Sequence, residues 1–291
     1  MTNSGANRSL LVPTGAPVTR RHFVNGAATL AGGVAAGTLL SPPTWSQVTQ
    51  QARMMPANPP PSYDPRDPRD SPINYLTPVK DQDSPVTCNA CTAFAVVAAV
   101  EATYNKKNSL PGSNGPDLNE LDLFNNPTFP SGGCATTHWW PKDALNYCQN
   151  PGLKSEGTST PPLIKIGTPQ NLLVDADLQQ TQKNMKSWIA FNGPVVAVMV
   201  QFEDFYGFGD CFSGTSNSAV YSAGKGKRPG PIIGGHSIAI VGYSGNDHWI
   251  CKNSWGQDWN GDGYVRIAQG KNARGECYID RIDVWGLTVL P

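Results

Sequence analysis

At 291 residues the chain is too long for one small scaffold and suffices for one large or two modest domains, each with its own core. Its 22 lysines and arginines balance 22 aspartates and glutamates, so no summed field draws in nucleic acid or an anionic membrane, and specificity has to reside in a local site. The 30 glycines and 26 prolines are scattered among apolar segments of clear period, which excludes a collagen-like or disordered chain.

In chain order, the first feature is Thr19-Arg20-Arg21-His22-Phe23-Val24, paired arginines ahead of an uncharged, small-residue apolar stretch at 27–40. This resembles a bacterial twin-arginine export signal, an address read by a receptor, and the stretch is too short and too rich in glycine and alanine for a membrane span. Residues 1–45 are therefore assigned to a removed signal peptide and residues 46–62 to a proline-rich linker. The resemblance implies folding before export, a working life in the periplasm or outside the cell, no stable membrane insertion once the signal is gone, and disulfides that form late. The cysteines number 7: in an oxidising compartment six could pair and leave one free thiol, or several are simply buried and inert.

Beyond the linker, Pro78-Val79-Lys80-Asp81-Gln82 leads to Cys88-Asn89-Ala90-Cys91 and then to an alanine- and valine-rich run at 93–102, free of glycine and proline. That run exceeds strand length and predicts a buried helix, with Cys91 in its first turn, where unpaired N–H groups and the positive dipole end favour a thiolate. Read alone, Cys-x-x-Cys also suits half a zinc site or a redox pair. The other cysteines and histidines form no second pair at ligand spacing, and no strand-helix-strand unit leads into Cys88, so neither a metal nor a cofactor is expected.

Residues 177–190 read as a helix stopped by Asn192-Gly193-Pro194, and 195–200 as a buried strand. Residues 204–235 read as a long surface connection, and 237–242, 248–252 and 263–267 as three short strands. Asp258-Trp259-Asn260-Gly261-Asp262-Gly263 starts like a calcium loop, but Gln269 stands where the closing glutamate belongs, so it reads as a hairpin turn. Helices early and strands late predict an α+β fold of two lobes, a helical one at 63–172 and an antiparallel β-barrel or sandwich at 173–291.

Gly234-Gly235-His236 sets a histidine at the mouth of a strand, and Lys252-Asn253-Ser254-Trp255-Gly256 ends the next strand with an amide and an indole. The histidine could be a mere polar strand end. Together with Cys91, however, these are the nucleophile, base and orienting group that acyl transfer by a cysteine requires.

At this point the chain resembles the papain-like cysteine peptidases in three ordered blocks, at 78–101, 235–243 and 249–267, with Asp117-Leu118-Asn119-Glu120-Leu121 echoing a helix between them. The resemblance implies that family's two-lobe fold with the active-site cleft between the lobes. It also implies that Cys91 is the nucleophile, His236 its acid and base, and Asn253 the residue that fixes the imidazole. Trp255 shields their hydrogen bond, and the Gln82 amide with the Cys91 N–H forms the oxyanion hole. By position, Cys88 with Cys134 and Cys211 with Cys277 resemble the family's disulfide pairs, whereas Cys251 reads as a buried thiol and Cys148 has no assignment. Thr92 departs from the pattern, standing where the family has a tryptophan, and Ala135-Thr136-Thr137-His138 replaces paired glycines that bind substrate backbone. The aromatics of His138-Trp139-Trp140 are expected to pack in the core or the cleft wall.

The expected activity is hydrolysis of peptide bonds in protein or peptide substrates by a monomer. Another acyl transfer or ligation on the same scaffold, or a non-catalytic binding protein, are the alternatives. No helical propeptide fits between residues 40 and 62, so control falls to compartment and late export or to an inhibitor from a separate chain.

Overall fold

In the computed structural model, which describes residues 58–84, 89–125, 139–157, 163–210, 219–223, 230–270 and 276–291, the apolar run becomes helix α1, Cys91–Lys107. It is apolar nearly all round, as befits an interior helix, and its residues from Thr92 to Val97 are all buried. Lys106 and Lys107 occupy the last turn, where positive charge suits the dipole. Around α1 pack α2, Glu120–Phe124, and α3, Pro141–Gln149. Asn119 caps α2 by accepting from the Asp122 N–H at 2.7 Å, and a proline starts α3 where its missing N–H costs nothing. Leu118, Leu123, Phe124, Ala144, Leu145 and Cys148 close on α1 to form one apolar cluster.

The second cluster lies against a sheet. Its strands are β1, Ser62–Tyr63; β2, Gln170–Asn171; β3, Val195–Phe202; β4, Val220–Tyr221; β5, Ile232–Ser244; β6, His248–Lys252; β7, Tyr264–Ala268; and β8, Asp283–Gly286. The order is β2-β8-β3-β5-β6-β7-β4, with β1 added on β5; every pairing is antiparallel except β4 with β7. Helix α4, Leu178–Phe191, begins where Asp177 accepts from the Gln180 N–H at 2.9 Å, and it supplies Met185, Trp188 and Ile189 to this cluster. The calcium-loop lookalike lies in the connection of the antiparallel β6–β7 pair, as a hairpin turn should.

One expectation is corrected. The segment at 204–235 is not a featureless surface connection: it holds helix α5, Glu203–Asp210, strand β4 and the first residues of β5. Its glycines mislead because the fold is decided by Phe205, fully buried, whose ring meets Tyr221 edge-on at 4.9 Å. Three residues on, one helical turn away, Phe208 meets the same tyrosine at 5.1 Å, so one face of α5 is apolar despite its neighbours.

The two clusters exchange chain segments. Tyr63, Tyr75 and Leu76, which precede α1, pack with the sheet, while Leu287 and Val289, which follow β8, pack with the helices. Gly242 permits the first exchange, since a Cβ there would collide with the Tyr63 carbonyl of the paired β1. Among the described residues no helix is long and apolar enough to cross a membrane.

Candidate active site

Cys91 is the first residue of α1, part-buried, and the helix has neither a side-chain N-cap nor an acidic residue in its first turn. The positive end of the dipole is thus left to the sulfur. Burial alone would push the thiol up. The hydrogen bond and positive charge of His236, with the Ser237 N–H, more than offset that and hold it below its ordinary value.

His236 comes from β5, opposite Met199 of β3, and is only 3% exposed. Its Nε2 lies 2.8 Å from Oδ1 of Asn253, the residue that follows β6. An amide oxygen only accepts, so Nε2 carries the hydrogen and Nδ1 is left for the sulfur. Asn253 is in turn fixed, since its N–H donates to the Gly263 carbonyl at 3.0 Å. The imidazole is roofed by aromatics: Trp255 lies 5.0 Å from it, Phe205 6.4 Å, and the half-exposed Tyr206 stacks on Trp255 at 5.0 Å and 10°. The rings of Trp255, Phe205 and Tyr206 thus form an aromatic cluster on the imidazole, where the sequence points to Trp255 alone.

Gln82 is buried in the loop ahead of α1, where Ser254 Oγ donates to its Oε1 at 2.7 Å. The oxygen end is thereby assigned to Ser254, and donation falls to Nε2. The residues expected to act together, Cys91, His236, Asn253, Trp255 and Gln82, are therefore brought into one neighbourhood. Cys88, Cys134, Cys211, His138 and the 135–138 segment lie outside the described residues. Trp139 is buried, as a packing role requires; Cys251 and Cys148 are fully buried, and burial raises both thiols. Cys277 is buried beside Tyr221 and Cys251.

Two groups of polar residues escaped the sequence. Behind Asn253 is a buried charge cluster: Glu101 of α1 accepts from Thr77 Oγ1 at 2.6 Å, from Lys80 Nζ at 3.1 Å and from the Leu118 N–H at 2.8 Å. Lys80 also reaches Glu120 at 2.7 Å, and Lys252 of β6 donates to Thr77 at 2.9 Å. Burial pushes Lys252 down to about 8 and Glu120 up to about 7. These charges share a small cavity with Asn253 and Ser254, joining the loop after β6 to α1 and α2. Beside Cys91, the buried Thr92 hydroxyl donates to the Trp139 carbonyl at 2.6 Å and lies 2.8 Å from Ser237 Oγ. No local pattern announces either group, because each is assembled from residues far apart in sequence; the tryptophan-to-threonine departure at 92 was the one visible sign.

Comparison with known proteins identifies the family. Residues 59–286 match the family model described as papain family cysteine protease. The chain is 27% identical over 218 residues to cysteine proteinase 2 of Leishmania pifanoi, covering 68% of this chain and 43% of that protein. It is 28% identical over 218 residues to cathepsin J of Rattus norvegicus, covering 68% of this chain and 58% of that protein. It thus spans about half the length of the curated relatives it matches. Among solved structures, the Carica candamarcensis cysteine protease CMS1MS2, in complex with E-64, is 26% identical with a TM-score of 0.57, covering 79% of this chain and 98% of the other. Fold and family match coincide over the same residues, and the chain belongs to the papain family of cysteine proteases.

Proposed function

We propose that the protein hydrolyses peptide bonds in proteins or peptides through a covalent acyl-enzyme on Cys91. The observation that carries this is the relay from sulfur to imidazole to amide: a thiol held low by His236, whose other nitrogen is locked by Asn253 at 2.8 Å. The Cys91 thiolate attacks the scissile carbonyl, and the tetrahedral oxyanion is met by the Cys91 N–H and Gln82 Nε2. His236 then protonates the leaving amine, giving a thioester. Next, His236 takes a proton from water as the water attacks that thioester, which releases the acid and restores the thiol. Asn253 keeps the ring in the plane and tautomer that both steps use.

The same reading extends to the rest of the chain. Residues 1–45 serve as a twin-arginine signal and 46–62 as a linker, so the enzyme acts outside the cytoplasm. The lobes at 63–172 and 173–291 frame the cleft, and disulfides join Cys88 to Cys134 and Cys211 to Cys277.

Treatment of reduced protein with E-64, the epoxide in the Carica candamarcensis complex, tests the chemistry. One adduct mapping to Cys91, absent from Cys91→Ala, together with cleavage of a peptide library, is expected. A parent protein that neither takes the label at Cys91 nor cuts any peptide would overturn the proposal.

A further inference from the structure

The nucleophile and its base stand on separate pieces of the molecule, Cys91 on a helix of one apolar cluster and His236 on a strand of the other. Their separation therefore depends on what fixes α1 against β5 at that level. The immediate C-terminal neighbours of the two residues meet there: Thr92 Oγ1 lies 2.8 Å from Ser237 Oγ, across 145 positions of sequence. Both hydroxyls are buried, with exposures of 4% each. Beside them in the first turn, Ala90 and Ala93 are fully buried, so the surroundings on that side are apolar.

The direction of these bonds follows from their partners. The Trp139 carbonyl can only accept, so Thr92 donates its one proton to it at 2.6 Å. Ser237 must then be the donor to Thr92 Oγ1. A single chain of hydrogen bonds runs from Ser237 on β5 through Thr92 on α1 to the backbone just ahead of α3. It ties together three segments of the chain, two of which carry Cys91 and His236.

We propose that the Thr92 and Ser237 hydroxyls are positioning groups for the reaction, a buried inter-lobe bridge that sets the spacing of Cys91 and His236. The proposal rests on the reading of those two residues as nucleophile and base. Beyond the bridge itself, the Ser237 N–H is within reach of the Cys91 sulfur. A slip of α1 along β5 would thus disturb two contacts to the sulfur at once, those of His236 and of the Ser237 N–H. The titratable group in contact with the sulfur is His236. Lys80, Glu101, Glu120 and Lys252 meet Asn253 and Ser254 around a small cavity whose lining does not include Cys91.

A merely structural pair predicts something different. Removing one buried hydroxyl leaves its partners unsatisfied and lowers stability whichever role the pair has, so melting temperature does not report the role, whereas the ionisation of Cys91 does. The test is the pH dependence of iodoacetamide alkylation at Cys91, read by peptide mass in the folded full chain, for the parent, Thr92→Val, Thr92→Ser, Ser237→Ala and His236→Asn. The parent is expected to alkylate at mildly acid pH, and His236→Asn to lose that reactivity. Thr92→Val is expected to displace the profile to the alkaline side by about one unit, roughly a tenfold loss of rate on the acid limb. Thr92→Ser should restore it, and Ser237→Ala, which keeps its N–H, should move it in the same direction by less.

A Thr92→Val profile that superimposes on the parent's, or one that Thr92→Ser fails to restore, overturns the proposal. Should Thr92→Val not fold, Ser237→Ala decides by the same criterion. A parent whose Cys91 ignores His236→Asn removes the underlying nucleophile and base reading instead, an outcome visible without either bridge variant.

Discussion

Ser254 holds Gln82 at both ends of the residue: its carbonyl accepts the Gln82 backbone N–H at 2.8 Å, and its hydroxyl donates to Gln82 Oε1 at 2.7 Å. A side chain fixed this way by the residue next to Asn253 is pre-oriented, so its donor end loses little freedom when charge develops on a substrate oxygen. Gln82→Ala is expected to lower kcat by about a hundredfold to a thousandfold, on the order of 3 kcal/mol, with KM moving much less. Ser254→Ala, which leaves the amide in place but free to turn, should fall between that variant and the parent. Steady-state kinetics on one peptide substrate ranks the three, and a Gln82→Ala enzyme as fast as the parent would remove the residue from the oxyanion hole.

In the proposed mechanism Asn253 acts through His236 and not on substrate, which makes its loss the milder one. Asn253→Ala should retain measurable turnover with a fall of up to about a hundredfold, the lower end of what general acid and base catalysis contributes, where Cys91→Ala abolishes it. Tyr206→Ala probes the same bond from outside: it strips the stacked ring from Trp255 and admits water towards His236. Because Tyr206 is 48% exposed and an aromatic pair is worth about 1 kcal/mol, melting should shift by only a few degrees while kcat/KM drops severalfold. A larger change in melting than in rate would make the stack structural.

The buried charge cluster gives stability a pH dependence of definite sign. Glu120 is raised from 4.5 to about 7, chiefly by burial, so between those values the folded chain holds a proton that the unfolded chain has released. Its stabilising effect is fully present below about pH 4.5 and is lost as pH rises through about 7. Melting of the parent relative to Glu120→Gln should accordingly decline from pH 5 to pH 7. Parallel melting curves across that window would show that Lys80 keeps the carboxylate charged throughout.

Much of the site could be read from sequence because its parts are locally coded. The apolar run after Cys91 can only bury itself as a helix, and the glycines before His236 and the Asn253-Ser254-Trp255-Gly256 turn sit at strand ends where the chain must expose a side chain. What escaped is non-local. Phe205 and Phe208 make a helix among glycines only because Tyr221 is there to receive them, and Thr92 is an unremarkable helical residue until Ser237 arrives from 145 positions away. Glu101 sits within the run at 93–102, and nothing nearby in sequence foretells Lys80 and Thr77 as its partners or Lys252 as a partner of Thr77 in turn.

The exchange of segments between the two apolar clusters governs how the chain can be made. Lys107, at the end of α1, donates to the Val289 carbonyl at 2.9 Å across 182 positions, and Leu287 and Val289 fill the cluster that α1 organises. A ribosome that has delivered the whole of α1, α2 and α3 has still delivered an unfinished core, and the nucleophile's helix stays unseated until β8 and its successors emerge. The surroundings of the thiol are thereby completed only after β8 has been made, so a product truncated before Leu287, although it carries Cys91, lacks part of the core on which α1 packs.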